Sequence, residues 1–331
     1  MTDEFLPFSR PSISRAAIDE VVACLESGWI TTGPRVKKFE EELKRYFNAP
    51  HALALSSATA GLHLALLALE LKPGDEVITT PMTFAATLNT IVLAGGKPVL
   101  VDVVPDTYNM DMSKLAGAIT KQTRAIMPVH FAGLPVDLDP LYALADKHGL
   151  RVIEDAAHAI GTEYKGKRIG AFGDTQVFSF HPNKNMTTGE GGCVVTRDDK
   201  LAEKIALLRF HGMDREAWNR FGKSGSQHYE IIIPGLKYNM MDIQAALGLH
   251  QLPALDGFMQ GMKQRNIGTG LHYRAVHLYP YYREHYGFKP GDFPNAESIS
   301  DRIVSLPLFP GLRDADQDRA IAAMADLFGR K

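Results

Sequence analysis

One lysine lies in a polar, glycine-rich stretch between two short apolar runs. Lys184 belongs to residues 179–192 (SFHPNKNMTTGEGG), which follow the run 176–178 and precede the run 193–195. The apolar runs predict two β-strands, so the lysine is expected in a turn at a sheet end, where α/β proteins place their chemistry. A lysine there can form a Schiff base with a carbonyl group if its surroundings lower its pKa toward neutrality. On this stretch alone, a solvated loop lysine is the more common interpretation.

Three further features stand at predicted strand ends. Residues 56–59 form a strand-to-helix turn of small, mostly hydroxyl-bearing side chains, whose backbone N–H groups suit a phosphate, and Ser179 could add a hydroxyl. Asp155 ends an apolar strand, where a buried carboxylate needs a partner such as a pyridinium nitrogen. Phe84 opens a helix and could stack on a flat ring. Each feature alone is more often structural, as a helix cap, a salt-bridged acid or a core aromatic residue.

The four features together match the needs of pyridoxal 5′-phosphate (PLP). This cofactor requires a lysine for the Schiff base, an acid that keeps the pyridine ring protonated, and an anchor for its phosphate. The sequence has no GxGxxG pattern after a predicted strand, so nicotinamide binding on a Rossmann unit is disfavoured.

The elements that must position these residues alternate between strand and helix. Two helices are predicted first, over 14–27 and from Pro34 onward, with Ser14 as a cap and Pro34 at a helix start. Strands and helices then alternate, which predicts a mostly parallel sheet covered by helices on both faces. The predicted strands are 52–55, 76–79, 98–101, 125–129 and 151–154, and the predicted helices are 62–69, 84–93, 113–119, 138–147, 201–209 and 243–252. Residues after about 256 are expected to form a smaller, mixed α/β domain.

Composition excludes several functional classes. The chain of 331 residues has a formal net charge of -2, so it has no general attraction for nucleic acid or anionic membranes. Its two cysteines, Cys24 and Cys193, are far apart, which argues against a disulfide framework or a cysteine metal site and fits a reducing cytoplasm. The longest apolar run, 64–69, is too short to span a bilayer, and the acidic start has no signal-peptide pattern. We therefore expect a cytoplasmic protein without metal.

Five motifs resemble one family of enzymes, the DegT-type PLP-dependent nucleotide-sugar aminotransferases. They are residues 57–63 (SATAGLH), 154–158 (EDAAH), 179–184 (SFHPNK), 188–192 (TGEGG) and 238–239 (YN). The resemblance runs from Pro7 almost to the end of the chain. It implies PLP fold type I, as in aspartate aminotransferase, and a homodimer whose two sites lie at the subunit interface.

The resemblance also implies a role for each cofactor residue. Lys184 would carry the Schiff base and act catalytically, Asp155 would face the pyridine nitrogen, and His158 would lie near the ring 3-hydroxyl. Phe84 would stack on the ring. The phosphate would be held by Ala58, Thr59 and Ser179, and Asn239 would reach the phosphate of the neighbouring subunit. Some relatives have His in place of the lysine and dehydrate deoxysugars, and the intact Lys184 disfavours that activity.

Within the family, four stretches resemble the enzymes that form UDP-4-amino-4-deoxy-L-arabinose for lipid A modification and polymyxin resistance. They are residues 7–11, 27–34, 268–275 and 305–310. The resemblance implies transfer from L-glutamate to the 4-keto group of a UDP-linked pentose. The substrate-binding candidates are Trp29, Thr31, His181, His272, Tyr273 and Arg274, and the candidates for the diphosphate are Arg274, Lys237 and Lys223.

Three alternatives remain open. The acceptor could be a nucleotide-linked keto-hexose of a surface-glycan pathway, or the enzyme could act on amino acids as a lyase or desulfurase. A non-catalytic regulatory protein on the same fold is a third, which the intact Lys184 and Asp155 disfavour. The predicted domains are 1–255 and 256–331. By comparison with the family, a few dozen residues are missing near 258/259, through a true deletion or through omission of a disordered segment.

Overall fold

A seven-stranded β-sheet forms the centre of the molecule. The computed structural model describes residues 10–214, 229–252, 273–300 and 312–327. Across the sheet the strands stand in the order β1-β9-β8-β5-β4-β2-β3, and β6 and β7 form a separate two-stranded ribbon. The strands are β1 His51–Leu55, β2 Glu76–Thr79, β3 Lys97–Leu100, β4 Thr123–Ile126, β5 Arg151–Asp155, β6 Glu163–Tyr164, β7 Lys167–Arg168, β8 Thr175–Ser179 and β9 Gly192–Thr196.

The sheet is mostly parallel, as the alternation of elements predicts. The pairs β2–β3, β2–β4, β4–β5 and β5–β8 are parallel, whereas β9 runs antiparallel to both β8 and β1. Ser179 pairs with Gly192 in the β8–β9 ladder, so residues 180–191 connect two adjacent strands at one edge of the sheet. The strand ends therefore hold both ends of the segment that contains Lys184. This architecture is that of PLP fold type I.

Helices cover both faces of the sheet. The successive side chains of β8 show this, because Val177 packs into one apolar core with Val194 and Leu62, and Phe178 packs into the other with Phe39. The helices are α1 Arg15–Glu26, α2 Pro34–Phe47, α3 Ala58–Ala68, α4 Ala85–Leu93, α5 Met112–Ala118, α6 Leu138–His148, α7 Asp199–Leu208, α8 Asp242–Leu249, α9 Pro280–Tyr286, α10 Pro294–Ser300 and α11 Asp314–Leu327. No helix among the described residues is long and apolar enough to cross a membrane.

Most helix starts agree with their local signals, but one does not. Ser14 caps α1 by accepting from the Ala17 N–H, and Pro34 opens α2. The predicted helix over 62–69 is wrong at its start, because α3 begins four residues earlier, at Ala58. The predicted start at residue 62 left Gly61 just outside the helix. Its actual role is close packing, since a Cβ there would lie 2.6 Å from the Cγ1 atom of Val177 on the sheet.

The described C-terminal residues lie against the ends of β2 and β3. The Val276 N–H donates to the Pro81 carbonyl at 2.8 Å, and the Asn295 side chain donates to the Val103 carbonyl at 2.8 Å. The Tyr282 hydroxyl donates to the side chain of Asn89 on α4. Helices but no strands occur in the described part of this region, 273–300 and 312–327. The division into two domains stays a prediction, and position 258/259 lies outside the described residues.

Candidate functional site

A cavity of about 380 Å³ opens at the carboxyl ends of β2, β5 and β8. Asp155 is the last residue of β5, Ser179 is the last residue of β8, and Phe84 caps the helix that follows β2. The cavity brings together nine of the predicted site residues: Ala58, Thr59, Phe84, Asp155, His158, Ser179, His181, Lys184 and Tyr273. Parallel strands end at the same edge, which explains how residues so far apart in sequence meet here.

The N-terminus of α3 forms one wall of the cavity. Ser57 caps this helix, since its side chain accepts from the Ala60 N–H at 3.0 Å, and Ser57, Ala58 and Thr59 all line the cavity. Gly192 on β9 lies so close that a Cβ there would be 2.5 Å from the Ala58 nitrogen. The unpaired N–H groups of a helix N-terminus and its dipole attract anions, so this wall suits a phosphate. The Ser179 side chain also lines the cavity.

Backbone hydrogen bonds hold the segment that carries Lys184. The Lys184 N–H donates to the His181 carbonyl at 2.9 Å, and the Thr188 N–H donates to the Phe180 carbonyl at 3.0 Å. Burial lowers the pKa of Lys184 to about 8, and the nearby Asp155 opposes this shift. A larger share of neutral amine at physiological pH makes this lysine a better nucleophile than one in water. Lys184 therefore has the lowered pKa that a Schiff-base lysine needs.

Asp155 is a carboxylate enclosed by protein on all sides except the cavity. Only 6% of the residue is exposed. Its Oδ2 atom accepts from the Thr87 hydroxyl at 2.7 Å, and its Oδ1 atom accepts from the Ala157 N–H at 3.2 Å. Burial raises the pKa of Asp155, while these two bonds and the Lys184 charge act in the opposite direction. A cationic ring nitrogen in the cavity would supply the opposite charge that a buried carboxylate requires.

Three aromatic side chains, Phe84, His158 and Tyr273, form a cluster that also lines the cavity. The ring of Tyr273 lies 5.1 Å from that of Phe84 and 6.0 Å from that of His158, centroid to centroid, and is nearly parallel to the latter. A hydrogen bond of 3.3 Å joins the Tyr273 hydroxyl to His158 Nε2. Burial lowers the pKa of His158 to about 3 and raises the pKa of Tyr273 to about 12, so both are neutral near pH 7. This cluster therefore presents polar groups without net charge.

Four of the predicted substrate or cofactor residues do not line this cavity. The Trp29 indole N–H donates to the Thr32 carbonyl at 3.1 Å, and the Thr31 carbonyl accepts from the Asp242 N–H at 3.2 Å. Arg274 lies over the ring of Tyr279, at 5.9 Å. Asn239 donates to the Thr32 hydroxyl and is 7% exposed.

The roles proposed for these four residues remain predictions. Lys237 also lies outside the lining, and its ammonium group donates to Asn239 Oδ1 at 2.6 Å. Two candidates, His272 and Lys223, lie outside the described residues.

The family follows from a match over nearly the whole chain. A model of the DegT/DnrJ/EryC1/StrS aminotransferase family matches residues 11–261 and 255–325. The chain belongs to this family. The spore coat polysaccharide biosynthesis protein SpsC of Bacillus subtilis is 42% identical over an alignment of 379 positions, gaps included, that covers 98% of this chain and 97% of SpsC.

Solved structures of similar proteins indicate the cofactor of this aminotransferase. The putative sugar aminotransferase Spr1654 of Streptococcus pneumoniae, in its PMP form, is 32% identical, with a TM-score of 0.86 and coverage of 96% of this chain and 98% of that chain. Spr1654 has also been solved in its PLP form. Helicobacter pylori PseC, an aminotransferase of pseudoaminic acid biosynthesis, is 27% identical, with a TM-score of 0.88 and coverage of 99% and 100%. The protein is thus a PLP-dependent sugar aminotransferase.

The described residues fit PLP. The helix N-terminus can take the phosphate, the buried Asp155 can take a ring nitrogen, and Lys184 supplies an amine with a lowered pKa. Sequence reasoning missed two buried threonines next to Asp155, Thr83 and Thr87. Thr83 directly precedes the cap residue Phe84 and Thr87 lies in the first turn of α4, so this pair of threonines around Phe84 was visible in the sequence as a possible part of the site.

Sequence reasoning also missed His130. This residue lines the cavity and its Nε2 atom lies 2.8 Å from the Glu154 carboxylate. Its N–H donates to the Asp155 carbonyl at 3.1 Å, so the two residues are held side by side at the end of β5. A histidine next to an apolar strand carries no local signal of such a contact, because the partner strand is not adjacent in sequence.

Proposed function

We propose that this aminotransferase moves an amino group from L-glutamate to the keto group of a nucleotide-linked sugar. The observation that carries the proposal is that Lys184 and Asp155 line one cavity together with the N-terminus of α3. When bound, PLP supplies the electron sink that accepts the electrons of the deprotonated substrate carbon. The ionised carboxylate of Asp155 would keep the ring nitrogen protonated, which this sink requires.

Lys184 would have two tasks at the same atom. Its Nζ atom would first hold the cofactor covalently. As a free amine, the same atom would take a proton from the substrate α-carbon and later give one back. The lowered pKa of Lys184, about 8, suits both tasks, because the amine must lose and gain a proton near neutral pH.

The remaining residues of the cavity would orient the cofactor. The N-terminal N–H groups of α3 and the Ser179 hydroxyl would hold the phosphate, and the Phe84 ring would lie against one face of the pyridine. His158, neutral near pH 7, would hydrogen-bond the ring hydroxyl while Tyr273 holds it in place. These contacts set the cofactor plane and leave the proton transfer to Lys184.

For the acceptor we propose the 4-keto group of a UDP-linked pentose, which would yield UDP-4-amino-4-deoxy-L-arabinose for lipid A modification. The support is the resemblance of residues 27–34 and 268–275 to the enzymes that form this sugar. A nucleotide-linked keto-hexose is the second candidate. Relatives named for pseudoaminic acid and for spore coat polysaccharide favour it.

Side-by-side kinetics would decide between the two acceptors. The kcat/KM values for UDP-4-keto-pentose and UDP-4-keto-6-deoxyhexose would be measured with L-glutamate as donor and the products read by mass. One carbon changes binding by only about 1–3 kcal/mol, so we expect the pentose to be preferred and the hexose to react slowly. A clear preference for the hexose would replace the pentose proposal and leave the aminotransferase activity in place.

A half-reaction would separate transamination from lyase or desulfurase chemistry on the same fold. We expect L-glutamate to convert the bound cofactor stoichiometrically to its aminated form, with release of 2-oxoglutarate. Cysteine would be the comparison substrate. Release of sulfide from cysteine without reaction of glutamate would contradict the proposal.

We also propose that the functional unit is a homodimer with shared sites. Asn239 does not line the cavity of its own chain and is held by Thr32 and Lys237 instead, as a residue that serves the neighbouring subunit would be. Mixing the inactive variants Lys184→Ala and Asn239→Ala should restore part of the activity, because one site of each hybrid dimer has both residues. A fully active monomer in sedimentation would contradict shared sites.

A further inference from the structure

Two threonine hydroxyls connect the start of α4 to the carboxylate of Asp155. The Oγ1 atoms of Thr83 and Thr87 lie 2.7 Å apart, and Thr87 Oγ1 lies 2.7 Å from Asp155 Oδ2. Thr83 is 1% exposed and Thr87 is 0% exposed, so water does not compete for these hydrogen bonds. Thr83 also lines the cavity. The three side chains form one continuous hydrogen-bonded chain behind the site.

Which hydroxyl donates in each of these hydrogen bonds follows from the number of hydroxyl hydrogens. Each hydroxyl has one hydrogen to donate, and an ionised carboxylate can only accept. Since Thr87 donates to Asp155, it has no hydrogen left for Thr83. Thr83 must therefore donate to Thr87, and both dipoles point toward the carboxylate.

Two hydrogen bonds hold the Asp155 carboxylate in one orientation. Oδ2 is occupied by the Thr87 hydroxyl and Oδ1 by the Ala157 N–H, so rotation of the carboxyl group would break both bonds. The Thr87 bond also lowers the pKa of Asp155 against the effect of burial. A hydrogen bond to a buried charge is among the stronger ones in proteins, so its loss should be measurable.

We propose that Thr87 is a positioning residue for the pyridine nitrogen of the cofactor. Thr87 orients the Asp155 carboxylate and stabilises its ionised form, and Thr83 strengthens this effect by donating to Thr87. The proton between Asp155 and the ring then stays on the ring nitrogen, where the electron sink needs it. The inference rests on the proposed role of Asp155.

The same helix contains a matched control for this proposal. Thr90 is also 0% exposed, but its single hydroxyl hydrogen is directed to its own helix, where the carbonyls of Ala86 and Thr87 lie 2.9 and 3.1 Å from Thr90 Oγ1. A change of Thr90 to Val removes a buried hydroxyl of α4 without touching Asp155. Any effect of Thr87→Val that Thr90→Val lacks is therefore due to the bond to the carboxylate.

The experiment uses full-length enzyme loaded with PLP labelled with nitrogen-15 at the ring. The NMR resonance of this nitrogen reports whether it is protonated, and the glutamate half-reaction reports turnover. The variants are Thr87→Val, Thr83→Val, Thr87→Ser, Thr90→Val and Asp155→Asn. A purely structural role of Thr87 would change stability without moving the nitrogen resonance.

We expect Thr87→Val to shift the resonance toward the unprotonated position. It should also lower the rate of the half-reaction by roughly ten- to a hundredfold, with little change in KM, since one hydrogen bond to a charge is lost. Thr87→Ser should restore both values, Thr83→Val should move them in the same direction by a smaller amount, and Thr90→Val should match the wild type.

Four outcomes would overturn the proposal or its premise. A wild-type resonance in Thr87→Val, or an equal shift in Thr90→Val, would reduce Thr87 to a packing residue. If Thr87→Val does not fold or retain cofactor, the decision falls to Thr83→Val, and a wild-type resonance there overturns the proposal. A wild-type resonance in Asp155→Asn would instead remove the proposed role of Asp155, which distinguishes failure of the premise from failure of the inference.

Discussion

The inner wall of the cavity and its rim differ in burial. Asp155, Ser179 and Thr83 of the inner wall are at most 7% exposed, and hydrogen bonds through the Thr87 hydroxyl behind the wall connect Thr83 to Asp155. At the rim, Phe84 is 54% exposed and His181 is also exposed. Buried, hydrogen-bonded groups keep one geometry, whereas exposed side chains can adapt to a ligand. The inner wall therefore suits the chemistry common to the family, and the rim suits the selection of a particular sugar.

Removal of the catalytic lysine should have the largest effect. We expect Lys184→Ala to lose the visible absorption band of the bound cofactor, above roughly 400 nm, because no amine remains to hold it covalently. Turnover should fall by at least about 10³-fold, since the group that moves the proton is also lost. The control is Lys114→Ala on α5, which should keep both the band and the activity. A wild type that stays colourless with added PLP would contradict the cofactor role of Lys184 and the enzyme function, and would favour a regulatory protein.

A change at Asp155 should have the next largest effect. Asp155→Asn should retain PLP but turn over on the order of 10² times more slowly, because the ring nitrogen loses the charge that keeps it protonated. Absorbance and the glutamate half-reaction would measure the two properties separately. Near-normal turnover would show that the inner wall does not control the chemistry, and the contrast with the rim would disappear.

The pH dependence of cofactor loading should show the lowered pKa of Lys184. Only the neutral amine attacks the aldehyde of PLP, so the loading rate of the apoprotein should rise with pH and level off above the pKa of about 8. The increase from pH 7 to 9 should be about tenfold, as for a single group that titrates in this range. Stopped-flow absorbance would follow it. A rate that still rises steeply above pH 9 would indicate an ordinary lysine pKa.

Changes at the rim should have the smallest effects. We expect Phe84→Ala and Tyr273→Phe each to weaken PLP binding and to raise the KM for the sugar a few-fold. The glutamate half-reaction at saturating PLP should stay within about threefold of the wild type, because each change removes only one ring contact or one hydrogen bond between neutral groups. Tyr281→Phe, a change at an exposed tyrosine that does not line the cavity, is the control and should have no effect. A large loss in the glutamate half-reaction for Tyr273→Phe would place this residue with the inner wall.

Much of the fold could be predicted because its signals are local. Apolar runs at β5 and β8, the Ser14 cap and Pro34 at the start of α2 each act within a few residues. The start of α3 was predicted wrongly, because Gly61 is needed for a contact with Val177 that lies 116 positions further along the chain. A glycine required by packing looks the same in a sequence as one required by a turn.

The candidate site could likewise be predicted only in part from the sequence. Its residue types could be recognised in the sequence, since a lysine in a glycine-rich turn and an acid at a strand end are visible as such. Only the structure shows that Lys184 and Asp155 line the same cavity. Its lining does not include Trp29 or Thr31, which the motifs had assigned to substrate binding. Resemblance of a motif indicates what a loop contacts in the family, not which cavity or subunit it serves.

The sequence by itself determined the alternation of strands and helices, the chemistry of the side chains at the strand ends and the family to which they belong. Only the tertiary structure decided that the hydroxyl of Thr87 contacts the carboxylate of Asp155, 68 positions away, and that Tyr273 contacts His158 across 115 positions. The physical reason is that local patterns fix backbone conformation through short-range sterics and hydrogen bonds. Contacts between distant residues depend instead on how the whole sheet is ordered, and here β5 stands beside β8 and β4.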